Sequence, residues 1–270
     1  ITVSRDPKYN YSKKLKYLLS KPLSILNFSN RLKNRSLIKD LSSDFEKHFH
    51  LSQSNIDLKL KFVEHHSSHL ASAFFASPFE KSALLSIDAF GDFSSTVVAF
   101  GEGNKITRLG EVNFPHSVGQ FYTAFTQYLG FQNYGDEYKV MGLAPYGNTN
   151  SKDIQRYVDI IKSQLIDIKE DGSLWLNQKY FSYATALRMV PDRKWEKLFG
   201  FPRRKAESPL EQHHCDLGLA IQLVTEELVI KMAQEAKKLT GCENLCLAGG
   251  VALNCVANGR LQKENNFKNI

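Results

Sequence analysis

No stretch of the 270 residues approaches the roughly 18 to 20 uninterrupted apolar residues of a membrane-spanning helix. The opening Ile-Thr-Val-Ser-Arg-Asp lacks a basic segment followed by an apolar one, so the secretory-leader pattern is missing too. Cysteine is scarce. Cys215, Cys242, Cys246 and Cys255 all fall in the last quarter, without metal-finger spacing or the density of a disulfide scaffold. The G-x-G-x-x-G pattern of dinucleotide sites and the G-K-[ST] pattern of P-loops are also absent. These absences lead to the expectation of a soluble chain in a reducing cytoplasm. With 42% hydrophobic and 23% charged residues, the chain has the material for a packed core and for more than one lobe.

The net charge of +7 is unevenly placed. Residues 1–40 carry ten Lys or Arg, among them Lys13, Lys14, Lys16 and Arg31, against Asp6 and Asp40, while the remainder holds 25 basic and 26 acidic residues. Leu15, Tyr17 and Leu18 are mixed into that basic segment, as in a solvated helix, so a charged helical surface is expected rather than a nucleic-acid or membrane face.

Short helices and loops are expected up to about residue 58, where Pro7 and Pro22 interrupt any long period. A helix is predicted from His65 to about Ser77, ended by Pro78. Three extended runs follow, Ala83–Asp88, Ser95–Phe100 and Ile106–Phe114, with glycines between them as in an antiparallel meander. Gln120–Leu129 reads as a helix, Gly130–Gly147 as a loop, and residues 150–212 as helices and loops. Leu217, Ala220, Ile221, Val224, Leu228 and Met232 recur at steps of 3 and 4 and predict an amphipathic helix ending near Gly241. A buried strand (Asn244–Ala248), Gly249-Gly250 and a helical run over 252–262 complete an α/β order of elements.

Four places can carry chemistry. His65 and His69, four apart on a helix, project from one face and can reach one ion, although a third ligand is not evident and packing roles would also account for them. Asp88 to Asp92 lies at the carboxyl end of a strand. Gly91 permits a sharp turn there, and Ser94, Ser95 and Thr96 offer groups to an anion; an ordinary hairpin turn is the alternative. Leu245 to Asn254 runs from strand through two glycines into a helix, suiting either close approach of a ligand or close helix packing. In Asn133–Gly147, Glu137 and Lys139 stand among tyrosines, as in a substrate pocket or a neutralised surface loop. His48, His50, His213 and His214 read as surface residues of polar loops.

Taken together, HHSSHLASAFFASPF (65–79), SIDAFGDFSS (86–95), FPHSVGQFYTAFTQYLGFQNYGDEYKVMGLAPYG (114–147) and LCLAGGVALNCVANGRL (245–261) resemble the carbamoyltransferase family of nodulation-type and antibiotic-biosynthesis O-carbamoyltransferases. The resemblance covers about 63–147 and 214–262. It implies an actin-like ATPase fold (the ASKHA, ribonuclease-H-like group), incomplete at both ends, and kinship with the threonylcarbamoyl transferase of tRNA. It divides the chain into a basic helical remnant of the first lobe (1–62), a metal helix with the start of the second-lobe sheet (63–149), an insertion (150–213) and a nucleotide-binding helix-strand-helix part (214–270).

The same resemblance implies a metal, iron or zinc, on His65 and His69. Asp88, Gly91 and Asp92 would face phosphates or carbamoyl adenylate, and Gly249, Gly250 and Asn254 the nucleoside. Beyond what the resemblance implies, Lys139 or a neighbouring carboxylate, Glu137, is expected to assist proton transfer, with Asp88 as the further catalytic residue. ATP and carbamoyl phosphate would give carbamoyl adenylate in a separate Mg-dependent domain, and the acceptor would be a hydroxyl of a small molecule or saccharide. The phosphate hairpin, a further metal-ligand loop and the adenylate-forming domain are expected outside these residues, so the isolated chain is expected to be inactive. Nucleic acid and membrane are not expected partners, and oligomerisation is open. Two other readings are a noncatalytic ATP-binding scaffold and a tRNA-modifying relative.

Overall fold

The alternation of small and apolar residues along 81–91 builds the centre of the protein. In the computed structural model, which describes residues 2–20, 41–50, 52, 59–186, 188–264 and 267–270, β3 (Lys81–Gly91) is buried continuously from Ser82 to Ile87. It pairs antiparallel with β4 (Ser94–Glu102), which pairs antiparallel with β5 (Lys105–Asn113). On its other side β3 runs parallel to β8 (Leu245–Ala248), giving the order β5-β4-β3-β8. The expected meander and the added parallel strand are both present. A short parallel pair, β1 (Thr2–Val3) with β2 (Lys61–Phe62), lies apart from this sheet. Lys21, Arg31, Lys33, Arg35 and Lys39 of the basic segment lie outside the described residues. Its described helix, α1 (Tyr11–Ser20), buries no residue, and a second short helix, α2 (Leu41–Phe49), precedes β2.

Successive side chains of a strand point to opposite faces. Leu84 therefore packs with Leu70 and Phe74 of α3 (His65–Phe74), together with Val97, Ala99 and Cys246. Ala83, Leu85 and Ile87 face the other way, into a larger core built with α4 (Val118–Tyr128) and α8 (Gln212–Thr240). The chain is thus a mixed α/β structure with helices on both faces of its sheet. α8 buries Leu217, Ala220, Ile221, Val224, Leu228 and Met232, and Gly241 closes it in the left-handed conformation (φ 65°), where glycine avoids the Cβ clash.

The structure departs from the sequence reading in several places. The stretch 130–147 is not only loop: it contains α5 (Glu137–Leu143) and a 3-10 turn, Ala144–Tyr146. Residues 150–212 include, besides α6 (Lys152–Ile160) and α7 (Asp192–Phe199), a π-helical turn and a two-stranded ribbon of β6 (Ile166–Ile168) and β7 (Leu174–Leu176). Strands of three residues are too short to show a period. His214 is not on the surface but buried in the first turn of α8, where its Nδ1 accepts the Glu211 N–H at 3.0 Å. His48 lies on the exposed side of α2 rather than in a loop.

Residues 150–212 join the same core through an aromatic cluster. Trp195 is fully buried, donates its Nε1–H to the Tyr180 carbonyl at 2.7 Å, and packs its ring 4.6 Å from Phe125 and 5.4 Å from Phe199. Among the described residues no helix is long and apolar enough to cross a membrane.

Trp195→Ala removes this ring and its hydrogen bond, and should lower unfolding free energy by about 3 to 5 kcal/mol in urea titrations. The second test is acid. Burial, with His213 and Arg204 nearby, pushes the His214 imidazole down to about 4. The folded form therefore binds fewer protons than the unfolded one between pH 6.5 and 4. Stability is full above that window and falls through it as acid is added, by on the order of 3 kcal/mol from this group. A His214→Gln variant should show a flatter loss in chemical denaturation across the same pH range.

Candidate metal centre

Helix α3 begins at the site. Glu64 caps it, its carboxylate accepting the N–H groups of His66 at 3.0 Å and Ser67 at 2.7 Å. With the helix start fixed, His65 and His69 stand one turn apart on the face turned toward the end of β3. The alternation that sends Leu84 to α3 sends Ser86 and Asp88 to the same side. Ser86 bonds His66, which is fully buried between Ser86 Oγ (2.8 Å) and the Ser94 carbonyl (2.9 Å) and is pushed down to about 4 by burial. It is a neutral tie between α3 and the sheet.

Asp88 meets the two outer histidines. Its Oδ2 lies 2.8 Å from His65 Nε2 and 3.1 Å from His69 Nε2, and the two Nε2 atoms are 3.1 Å apart. Among the described residues this is the one group of three metal-type donors within reach of a common ion. His65 Nδ1 lies 3.2 Å from the Ser4 carbonyl, which can only accept, so that nitrogen carries a proton; in the protonated ring Nε2–H donates to Asp88, and loss of that second proton turns the Nε2 lone pair toward a cation. Burial raises the Asp88 carboxyl, but the bonds from His65, His69 and the Ala89 N–H outweigh it and hold the group well below the usual carboxylate range. The Asp88 bond in turn raises His65 against its own burial.

The donor set fits a divalent cation. On an ion with bonds of about 2.1 Å, ligands at right angles stand about 3 Å apart, close to the three separations here. Two imidazoles with one carboxylate suit iron or zinc, and three protein donors leave positions for a substrate.

The strand-turn-strand at 88–94 is closed differently from the sequence expectation. Gly91 does not supply the turn. The positive φ angles belong to Asp92 (48°) and Phe93 (85°), which form a two-residue connection between Gly91 and Ser94. Gly91 is required for another reason: a Cβ there would lie 2.0 Å from His65 Cδ2, inside the imidazole. Ser94 and Ser95 are also corrected. Both are buried, Ser94 Oγ donating to Glu111 at 2.9 Å and Ser95 Oγ to the His116 carbonyl at 2.6 Å, so neither hydroxyl is offered to an anion.

The diglycine bend does reach this site. A Cβ on Gly250 would stand 3.1 Å from Asp88 Oδ1, while one on Gly249, at φ 88°, would stand 2.3 Å from the Ile87 carbonyl oxygen. The expected helix beyond it is broken into a 3-10 turn, Gly250–Leu253, and α9 (Cys255–Lys263), with Asn254 between them. The Asn254 side chain points inward. It exchanges hydrogen bonds with the Gln222 amide at 3.0 and 3.1 Å and caps the Ala257 N–H at 3.0 Å. Gln222 also accepts from Tyr122 Oη (3.0 Å) and donates to Glu226 (2.9 Å).

Lys139 and Glu137 are placed elsewhere. Lys139 pairs with Asp136 at 2.8 Å and lines a cavity of about 460 Å3 with Phe131, Tyr146 and Leu210. Glu137 accepts from Thr123 Oγ1 at 2.6 Å. Among the described residues, no hydrogen bond or ion pair joins either to His65, His69 or Asp88. The third donor, Asp88, was the member that the spacing of the histidines did not reveal; its signal was the parity of β3, which assigns it to the face of α3. The Ser4 carbonyl has no side-chain signature at all.

Gly91→Ala should push the His65 ring aside and lower divalent-cation affinity at least tenfold in a chelator competition. Gly110→Ala, with nothing within 4 Å of the added methyl, should leave it unchanged.

Comparison with known proteins places the chain in a family. The family described as Carbamoyltransferase N-terminus matches residues 8–270. The protein sll1178 of Synechocystis sp., described as uncharacterized, is 52% identical over 211 residues, 78% of this chain and 33% of its own length. Nodulation protein NolNO of Sinorhizobium fredii is 35% identical over 78% of this chain and 28% of its own length. Nodulation protein NolO of Bradyrhizobium diazoefficiens is 37% identical over 77% and 34%. The chain spans about a third of the length of these relatives. A match along residues 8–270, nearly the whole length, makes this chain a member of the carbamoyltransferase family.

Proposed function

We propose that this chain supplies the carbamoyl-transfer site of an ATP-dependent O-carbamoyltransferase with an actin-like fold, working in the cytoplasm on a hydroxyl of a small molecule or saccharide. The observation that carries the reading is the convergence of His65, His69 and Asp88 beside Gly250, in a chain of this family.

In this reading, ATP and carbamoyl phosphate yield carbamoyl adenylate in another, Mg-dependent part of the protein. The acceptor oxygen then bonds to the carbamoyl carbon, the bond from that carbon to the adenylate oxygen breaks, AMP departs with the electron pair, and the hydroxyl proton is released. A divalent cation, iron or zinc, held by His65, His69 and Asp88 would supply Lewis-acid polarisation of the carbamoyl oxygen. Ser4 holds the Nδ1 proton of His65 and so turns Nε2 toward the cation, and the Ala89 N–H accepted by Asp88 helps keep that carboxylate ionised. Gly249 and Gly250 present backbone without side chains beside Asp88, where the nucleotide end of the donor can approach. Lys139 and Glu137 receive no role at the reacting atoms here, because their partners are Asp136 and Thr123.

The test uses the full-length protein. His65→Ala, His69→Ala and Asp88→Ala should each abolish stoichiometric iron or zinc by elemental analysis and slow carbamoyl transfer at least a hundredfold. Full metal content in all three variants, or transfer at the parent rate, rejects the reading.

A further inference from the structure

We propose that Asp92 is a positioning residue that acts on His65 through the backbone, together with the amino-terminal strap Thr2–Asp6, and makes no contact with the nucleotide. This rests on the reading of His65, His69 and Asp88 as a cation site.

Asp92 occupies a conformation that L-residues rarely adopt, and so does Phe93 after it. Each such residue costs about 1 to 2 kcal/mol, so the surroundings must hold the turn in place. They do so through the carboxylate and the carbonyl of Asp92. Asp92 Oδ2 accepts the Asp6 N–H at 2.7 Å and the His65 N–H at 3.0 Å, and the Asp92 carbonyl accepts from Asn10 Nδ2 at 3.3 Å. The carboxylate thus bridges the strap to the first residue of α3.

The strap touches His65 a second time. β1 and β2 pair Val3 with Phe62, and the Val63 N–H continues the ladder to the Val3 carbonyl at 2.9 Å. This register sets Ser4 opposite the start of α3, where its carbonyl accepts the His65 Nδ1–H. Backbone and ring of one imidazole are therefore fixed by the same five residues, one contact direct and the other through Asp92. From the remaining side, Gly91 leaves room for the ring and nothing more. Outer contacts of this kind set the ring orientation of a metal-binding histidine, and losing one weakens affinity by about 10- to 100-fold.

Asp92→Gly separates the two roles of this residue. Glycine takes the positive φ without strain, so the turn is kept or improved while the carboxylate is lost. Asp92→Asn keeps an acceptor oxygen in a side chain that tolerates the same conformation. In the full-length protein, Co2+ affinity, read from the visible absorption of the bound ion in a chelator titration, should fall 10- to 100-fold for Asp92→Gly. Its melting temperature should equal or exceed the parent's, its ATP affinity should change less than twofold, and Asp92→Asn should recover Co2+ binding to within a few-fold. Parent-like Co2+ affinity in Asp92→Gly overturns the proposal. So does a fall in ATP affinity with Co2+ binding intact, or a collapse of melting temperature accompanying the loss of Co2+. His69→Ala serves as the reference: if it still binds Co2+ as the parent does, the cation reading itself fails, whereas loss in His69→Ala with retention in Asp92→Gly sinks only the role of Asp92.

Discussion

The geometry of the site depends on the pleat of β3. Because that strand is covered on both faces, its side chains cannot slip by one residue without exchanging the two cores, Leu84 on one side and Ala83, Leu85 and Ile87 on the other. The same register that satisfies the packing delivers Ser86 and Asp88 to α3. The carboxylate is therefore placed by hydrophobic burial some distance from the chemistry, and its energetic support is the sheet rather than the few polar contacts around it.

Much of this was legible in the sequence. The antiparallel meander and the long helix α8 follow from periodicities long enough to stand above composition, the four-residue spacing put His65 and His69 on one helix face, and the glycines at 249–250 marked the bend that comes against Asp88; the place of β8 beside β3 did not show in the sequence. What stayed hidden was of two kinds. Short elements such as β6 and β7 hold too few residues to express a period. Contacts made by backbone groups, such as the Ser4 carbonyl on His65 and the Asp6 N–H on Asp92, leave no trace in side-chain identity.

Gly91 shows why residue type alone misleads. A glycine next to an aspartate in a hairpin reads as the residue that turns the chain, yet here two non-glycine residues turn it and the glycine leaves space for a ring. Its demand is steric and comes from His65, 26 positions earlier in the chain, which only the packing of α3 on β3 brings near. His214 gives the parallel lesson for charge. Its place between polar neighbours suggested exposure, but it closes the first turn of α8 and stays neutral.

The amide of Gln222 joins α4 through Tyr122 and the diglycine segment through Asn254. Two segments that flank Asp88 are thereby bolted to one buried pivot, and neither can swing away from the carboxylate without breaking bonds that water does not reach.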